Sequence, residues 1–305
     1  MLETGRNSCS NRYHSLVTGT DLAWESKLVL LLVLPATAVE VVLQAQDWLA
    51  RNPHAAAWVL GLSAALGLLA WAARAATPAA AATGAAITAS MMFSTAAEPF
   101  SPWRTALVPV AVLLVLTSAA TRYRRARKER LGTAEKRRGR IAAQVAANMG
   151  VAALAATPLV QEWITGRLAL SSSAALPLFT IALAALAEAA ADTVSSEIGQ
   201  VLGGRPVMLT TLRRVEAGTD GAISFVGTAA GVLAAGIVST AGTLALGGGA
   251  AMLAVSWAAG VFGLFFDSLL GATLERRGWL NNDAVNFLST ASAAGFALVM
   301  LTYFR

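Results

Sequence analysis

The sequence predicts an all-α, polytopic integral membrane protein of about nine transmembrane helices with a cytoplasmic N-terminus. Three observations predict it. Hydrophobic residues make up 56% of the 305 and charged residues only 13%, against about 25% charged in soluble domains, and the mean hydropathy is +0.61. Apolar runs long enough to cross a bilayer, about 20 residues each, recur from one end of the chain to the other. Alanine is abundant and aromatics are only 7%, which suits helices packed through small side chains better than a barrel of short alternating strands.

Residues 1–26 read as a polar N-terminal tail and 27–305 as a single transmembrane helical domain. The predicted helices span 28–46, 56–74, 78–96, 103–121, 141–161, 173–194, 221–240, 247–271 and 284–303. The first opens with Lys27 and the run Leu28–Leu34. With Pro35 and Ala36-Thr37-Ala38 behind it, that run resembles a signal peptide, but the apolar character continues past Ala38. The third is the weakest, Ala-rich and of modest bulk. The fourth leads into a basic loop at 122–140, and the fifth starts with Gln144 and Asn148 one turn apart. The sixth ends in acidic and hydroxyl residues. Pro35, Pro78, Pro102 and Pro177 are read as lying near helix starts, where proline is tolerated.

Orientation follows from the basic residues. An N-terminus inside puts 19 of the 23 Lys and Arg on the cytoplasmic side, ten of them between Arg122 and Arg140, and leaves Arg51, Arg104, Arg167 and Arg305 outside. The net charge of +6 is then assigned to topology and membrane lipids rather than to nucleic acid. Cys9 is the single cysteine and His14 and His54 the only histidines. That leaves no cysteine pair for zinc or an intrachain disulfide and no Ser-His or Cys-His couple. No G-x-x-x-x-G-K-[ST] loop is present either.

The chemistry-bearing residues gather on the predicted cytoplasmic side. Glu188, Asp192, Ser195 and Gly199 share one helical stripe with Ser196 beside it. Glu197 is five residues from Asp192, about 140° away around the helix, and shares an ion with it only if the helix ends or unwinds between them. A divalent cation is held by one or two carboxylates with phosphate and water; the bland alternative is a solvated helix end. Gly218-Thr219-Asp220-Gly221 reads as a loop entering a helix, with Thr219 or Asp220 either capping it or contributing to an anion site. Arg213 and Arg214 are candidates to clamp phosphate or simply to mark the inner face. Gly260, Gly263, Asp267 and Gly271 fall on one helix face, with Ser268 and Thr273 nearby. Asn282 and Asn286, with Asp283 and Ser289, open the last helix, Asn282 as a cap or as a ligand. Glu40 and Glu188 are read either as proton carriers or as carboxyls bonded across helices.

Four blocks in order resemble the phytyl-phosphate kinase family, a membrane family of the plant vitamin E pathway with many uncharacterised bacterial, archaeal and animal relatives. They are Ala191-Asp192-Thr193-Val-Ser195-Ser196-Glu197-Ile-Gly199; Leu209-Thr210-Thr211 through Gly218-Thr219-Asp220-Gly221-Ala222-Ile-Ser224; Asp267-Ser268-Leu-Leu-Gly271-Ala272-Thr273; and Asn281-Asn282-Asp283-Ala-Val285-Asn286-Phe287. The sequence departs from the family pattern at Asp220, where Asn is expected, at Ala222, at Val194, and at Arg213 and Arg214, where Lys is frequent. The resemblance implies phosphoryl transfer from a nucleoside triphosphate, CTP in the first instance, to an isoprenyl monophosphate.

Taken with the residues, it assigns Asp192, Glu197 and Asp267 to Mg²⁺ and Arg213 and Arg214 to the donor phosphates. Thr219, Asp220, Gly221 and Ser224 fall to the nucleotide and phosphate site, and Asn282 and Asn286 to the acceptor phosphate. The expected setting is a bacterial inner membrane with the site facing the cytoplasm. A polytopic transporter or lipid flippase and a CDP-lipid synthase are the competing readings.

Overall fold

The computed structural model describes residues 22–134, 139–168 and 175–303. The predicted polar tail, with Cys9 and His14, lies almost wholly outside them. The helices are α1 (Trp24–Arg51), α2 (Pro53–Ala72), α3 (Pro78–Thr95), α4 (Leu107–Arg122), α5 (Arg125–Leu131), α6 (Ala142–Ala156), α7 (Pro158–Leu168), α8 (Ala175–Leu202), α9 (Phe225–Ala245), α10 (Ala250–Leu270) and α11 (Asn282–Tyr303). A π-helical turn at Gly271–Glu275 extends α10. The chain is thus all-α apart from a two-residue hairpin in which β1 (Val207–Met208) pairs antiparallel with β2 (Ala222–Ile223).

Local chemistry sets the boundaries. Asn52 Oδ1 accepts from the Ala55 amide, with Pro53 in the first turn of α2. Thr77 and Pro78 start α3 in the same way. Helix α1 begins four residues earlier than the apolar run suggests, so Pro35 lies inside it rather than near its start. Two helices are broken: α4 and α5 meet at 61° and α6 and α7 at 59°. The first break holds Arg124 at φ 47°, and Pro158 opens the helix after the second.

Contacts between remote residues define two ends. At one, Ser26 Oγ donates to Asp283 Oδ2 at 2.6 Å, the Thr77 amide to the Arg140 carbonyl at 2.9 Å, and Lys128 Nζ to Glu197 Oε2 at 2.5 Å. At the other, Asn52 Nδ2 donates to Glu98 Oε1 at 2.8 Å and the Ala106 amide to Thr95 Oγ1 at 2.9 Å, while Arg104, Gln161, Phe179 and Leu246 line a common cavity. Among the described residues the chain therefore runs between these ends nine times. Six helices (α1, α2, α8, α9, α10 and α11) are long and apolar enough to cross a membrane, and eight spans result if each bent pair is one. The remaining traverse, α3, buries Ile87 and the run Thr88–Phe93. Packed on protein rather than lipid, it holds its place with a weaker apolar signal.

Helix α8 is the axis of the bundle: 83% of its most apolar window is buried. Its run of buried alanines from Ala182 to Ala191 lets neighbouring backbones approach closely. Exposed Trp24, Trp71 and Trp279 ring one end, and Trp103 and Trp163 the other, as interfacial tryptophans do in a bilayer.

Candidate functional site

The end that carries Ser26, Arg140 and Glu197 also carries a cavity of about 230 Å³. Helix α8 contributes Asp192, Ser195, Ser196 and Gln200, helix α10 Asp267 and Ser268, the π-turn Glu275, and the start of α11 Asn282. The loop from Ala217 to Ser224 forms the remaining wall. That loop is pinned by the small hairpin and by Gly221. This glycine sits at φ 71°, and a Cβ there would fall 2.1 Å from the Ala272 nitrogen, so only glycine fits.

Four carboxylates line this space: Asp192, Asp220, Asp267 and Glu275. No Lys or Arg is among its lining residues. Asp192 on α8 and Asp267 on α10 face the same cavity. One turn deeper on α8, Glu188 is 1% exposed. Ser289, fully buried on α11, donates its hydroxyl to the Asn286 carbonyl at 3.0 Å. Asp267 Oδ2 and Glu188 Oε1 are buried with no hydrogen bond, and so is Gln200 Oε1 on the cavity wall. Acidic oxygens withdrawn from water and left unmatched are the state a cation relieves. Among the described residues no three acidic, His or Cys side chains form a ready-made metal cage. The arrangement suits an ion that takes one or two carboxylates and completes its shell with phosphate and water. In the loop, burial raises the Asp220 carboxyl above its usual range, and the nearby Arg276 charge pulls it back down.

The structure distributes the predicted residues unevenly. Asp192, Asp267, Thr219, Asp220, Gly221, Ser224 and Asn282 all line the cavity. Ser224, not Thr219 or Asp220, caps α9, accepting from the Gly227 amide at 3.1 Å. Asn281, not Asn282, caps α11, accepting from the Ala284 amide at 2.9 Å; Asn282 is left to face the cavity.

Four residues assigned from sequence lie apart from the cavity. Glu197 is turned off the stripe by unbroken helix and is held by Lys128, which is fully buried and also donates to the Ala120 and Thr121 carbonyls. In the structure it forms this ion pair and does not line the cavity with Asp192. Arg213 and Arg214 are exposed on the hairpin loop. Asn286 is buried in the α11 core, away from the lining. Gln144 and Asn148 lie apart from the cavity: Gln144 Oε1 accepts from the Ile141 amide at 2.8 Å and Asn148 Nδ2 donates to the Gln144 carbonyl at 2.8 Å. Sequence reasoning missed Glu275 and Lys128. An acid closing the α10 run was the available signal for Glu275; Lys128 looked like one more solvated loop cation.

An acid-walled cavity set between spanning helices defines a polytopic membrane protein with a polar site at one end of its bundle. The chain belongs to the integral membrane family DUF92, which matches residues 61–294 and so encloses every cavity residue. This bears out the likeness read from residues 188–290. An uncharacterized membrane protein of Methanocaldococcus jannaschii is 44% identical over 108 residues, 35% of this chain and 45% of that protein. The chloroplastic protein VTE6 of Arabidopsis thaliana is 31% identical over 195 residues, 63% and 57% of the two chains. An uncharacterized membrane protein of Synechocystis sp. is 32% identical over 209 residues, 64% and 73%. The chain thus spans about half the length of the first two relatives. No solved structure matches it.

Proposed function

We propose that the protein is a membrane-embedded prenyl-phosphate kinase that moves a phosphoryl group from a nucleoside triphosphate to an isoprenyl monophosphate and forms the diphosphate. One observation carries this reading: a cavity with four carboxylates, hydroxyls and an amide on its walls and no basic residue among them. A polyphosphate enters such a space only together with cations. The family blocks support the same chemistry and imply CTP as donor.

Asp192 and Asp267 would hold Mg²⁺, with Asp220 and Glu275 facing the same water. When bound, the ion neutralises phosphate charge and aligns donor and acceptor. An acceptor phosphate oxygen attacks the γ-phosphorus, the bond from that phosphorus to the β,γ-bridging oxygen breaks, and the nucleoside diphosphate leaves with the electron pair. The acceptor is already an anion, so no general base is needed, in keeping with a cavity without histidine. The chain's own contribution is positioning: the hydroxyls of Ser195, Thr219 and Ser224 and the amide of Asn282 offer hydrogen bonds to phosphate oxygens. The basic residues crowded at the site's end support a cytoplasmic orientation for it.

Full-length protein in phosphatidylcholine nanodiscs, given geranylgeranyl monophosphate, CTP and Mg²⁺, is expected to yield geranylgeranyl diphosphate and CDP by mass spectrometry. No diphosphate from any isoprenyl monophosphate with any of the four nucleotides overturns the kinase reading. Release of pyrophosphate in place of CDP replaces it with a CDP-lipid synthase. Mn²⁺ binding followed by electron paramagnetic resonance, lost in Asp192→Asn, checks the cation site without turnover.

A further inference from the structure

A second pair of cavities lies among α2, α3, α4 and α6. A mouth of about 60 Å³ is lined by Arg74, Arg122, Arg125 and Arg140 together with Thr117 and Ser118. It runs into a slot of about 70 Å³ walled by Leu66, Ala70, Gly84, Val110, Leu113 and Met149, among others. Ala75, Leu114, Thr117 and Arg140 line both spaces, so mouth and slot adjoin. No acidic residue lines either.

The basic mouth is built, not a loose surface cluster. Arg122 Nη2 donates to the Ala73 carbonyl at 2.6 Å. The Arg140 backbone is stitched to residues 75–77, its amide to the Ala75 carbonyl at 3.0 Å and its carbonyl to the Thr77 amide at 2.9 Å. Arg125 is braced by Glu129 at 3.3 Å. Arg140 also reaches the acid cavity's wall: its Nη2 donates to Thr193 Oγ1 at 3.3 Å, next in sequence to Asp192. Four arginines at the rim of a largely apolar slot, with Thr88 and Asn148 among its walls, fit one kind of occupant, an anionic phosphate carried on a hydrocarbon chain.

We propose that this cleft is the seat of the isoprenyl monophosphate, its phosphate among Arg74, Arg122, Arg125 and Arg140 and the first unit of its chain in the slot between α2, α3, α4 and α6. The identity of the occupant rests on the kinase reading above; the cleft's shape and charge do not. The acceptor phosphate then lies on the Arg140 side of Asp192 and the donor in the acid cavity. This relieves Asn282 and Asn286 of the acceptor role that sequence assigned them, and the positive charge a phosphate transfer needs comes from the acceptor's side.

Equilibrium binding of tritiated geranylgeranyl monophosphate to the full chain in phosphatidylcholine nanodiscs, without nucleotide, tests the cleft. A Cβ at Gly84 meets only Val145 Cγ1, at 3.8 Å, so Gly84→Leu fills the slot without displacing backbone. It is expected to weaken geranylgeranyl monophosphate about tenfold or more, with inorganic phosphate, which has no chain to place in the slot, within about twofold. Arg74→Gln with Arg122→Gln, both exposed and tolerant of change, is expected to weaken both ligands about tenfold. Wild-type binding by both variants overturns the proposal, and so does displacement of the ligand mole for mole by phosphatidylglycerol, which marks the arginines as a general lipid contact. Turnover measured in parallel separates this inference from the kinase reading. Diphosphate formed by both variants with an unchanged KM for the acceptor sinks the cleft and leaves the kinase. Binding lost in both variants, with no turnover under any nucleotide in the wild type, supports the cleft and sinks the kinase.

Discussion

The acid cavity and the arginine-mouthed cleft sit at the same end of the bundle and are opposites. The first is walled by Asp192, Asp220, Asp267 and Glu275 without a cation; the second has four arginines without an acid and opens into hydrocarbon-like walls. A single cavity facing all eight groups would collapse both sets into ion pairs. Their separation, linked at Arg140 and Thr193, leaves the two sets unlike in charge. It also distinguishes charges that hold the fold from charges that face a ligand. Lys128 and Glu197 belong to the first kind, fully satisfied and sealed, and the cavity groups to the second.

The largest effect that breaks this distinction is expected at Lys128. Lys128→Met leaves Glu197 buried without its partner, and the loss of stability is expected to be about 3–5 kcal/mol, read by thermal or denaturant unfolding in detergent. Adding Glu197→Gln to that variant is expected to restore at least half of the loss; no restoration means the pair is not the source.

Asp267→Asn sharpens the other side of the comparison. Diphosphate formation is expected to fall about 100-fold, about 2.7 kcal/mol in the barrier. The melting temperature is expected to hold or rise, because one carboxyl leaves a crowded stack with Glu188 and Asp192. Turnover within threefold of wild type, or a fall in melting temperature matching the fall in activity, makes Asp267 structural.

Gly221→Ala is expected to cost about 1–3 kcal/mol of stability from the left-handed backbone alone, with a further penalty from the Ala272 clash, measured by unfolding midpoint. The smallest effect belongs to the exposed hairpin. Arg213→Gln with Arg214→Gln is expected to change the KM for nucleotide by less than about twofold, about 0.4 kcal/mol; a tenfold rise would restore these arginines to the donor site.

The fold could be read from the sequence because each traverse is written locally, as an apolar run with its own caps and its share of basic flanks. Residues on one helix were placed well for the same reason: Asp192, Ser195 and Ser196 share a face by spacing alone. Glu197 shows the limit, since spacing could turn it away from Asp192 but could not supply Lys128 from 69 residues upstream. Arg213 and Arg214 failed differently. Their proximity to Thr219 along the chain suggested proximity in space, and the β1–β2 pairing sends them outward instead. The cleft left no motif at all: Arg74, Arg122 and Arg140 come from three separate connections, and charge counting spent them on topology.

Ser26 donates to Asp283 at 2.6 Å and receives from Asn281 Nδ2 at 2.9 Å, tying the start of the first helix to the start of the last. During synthesis the first helix emerges long before its partner exists, and the wall bearing Asn282 arrives only with the final hairpin. The first and last helices are therefore joined only once residues 281–283 have been made.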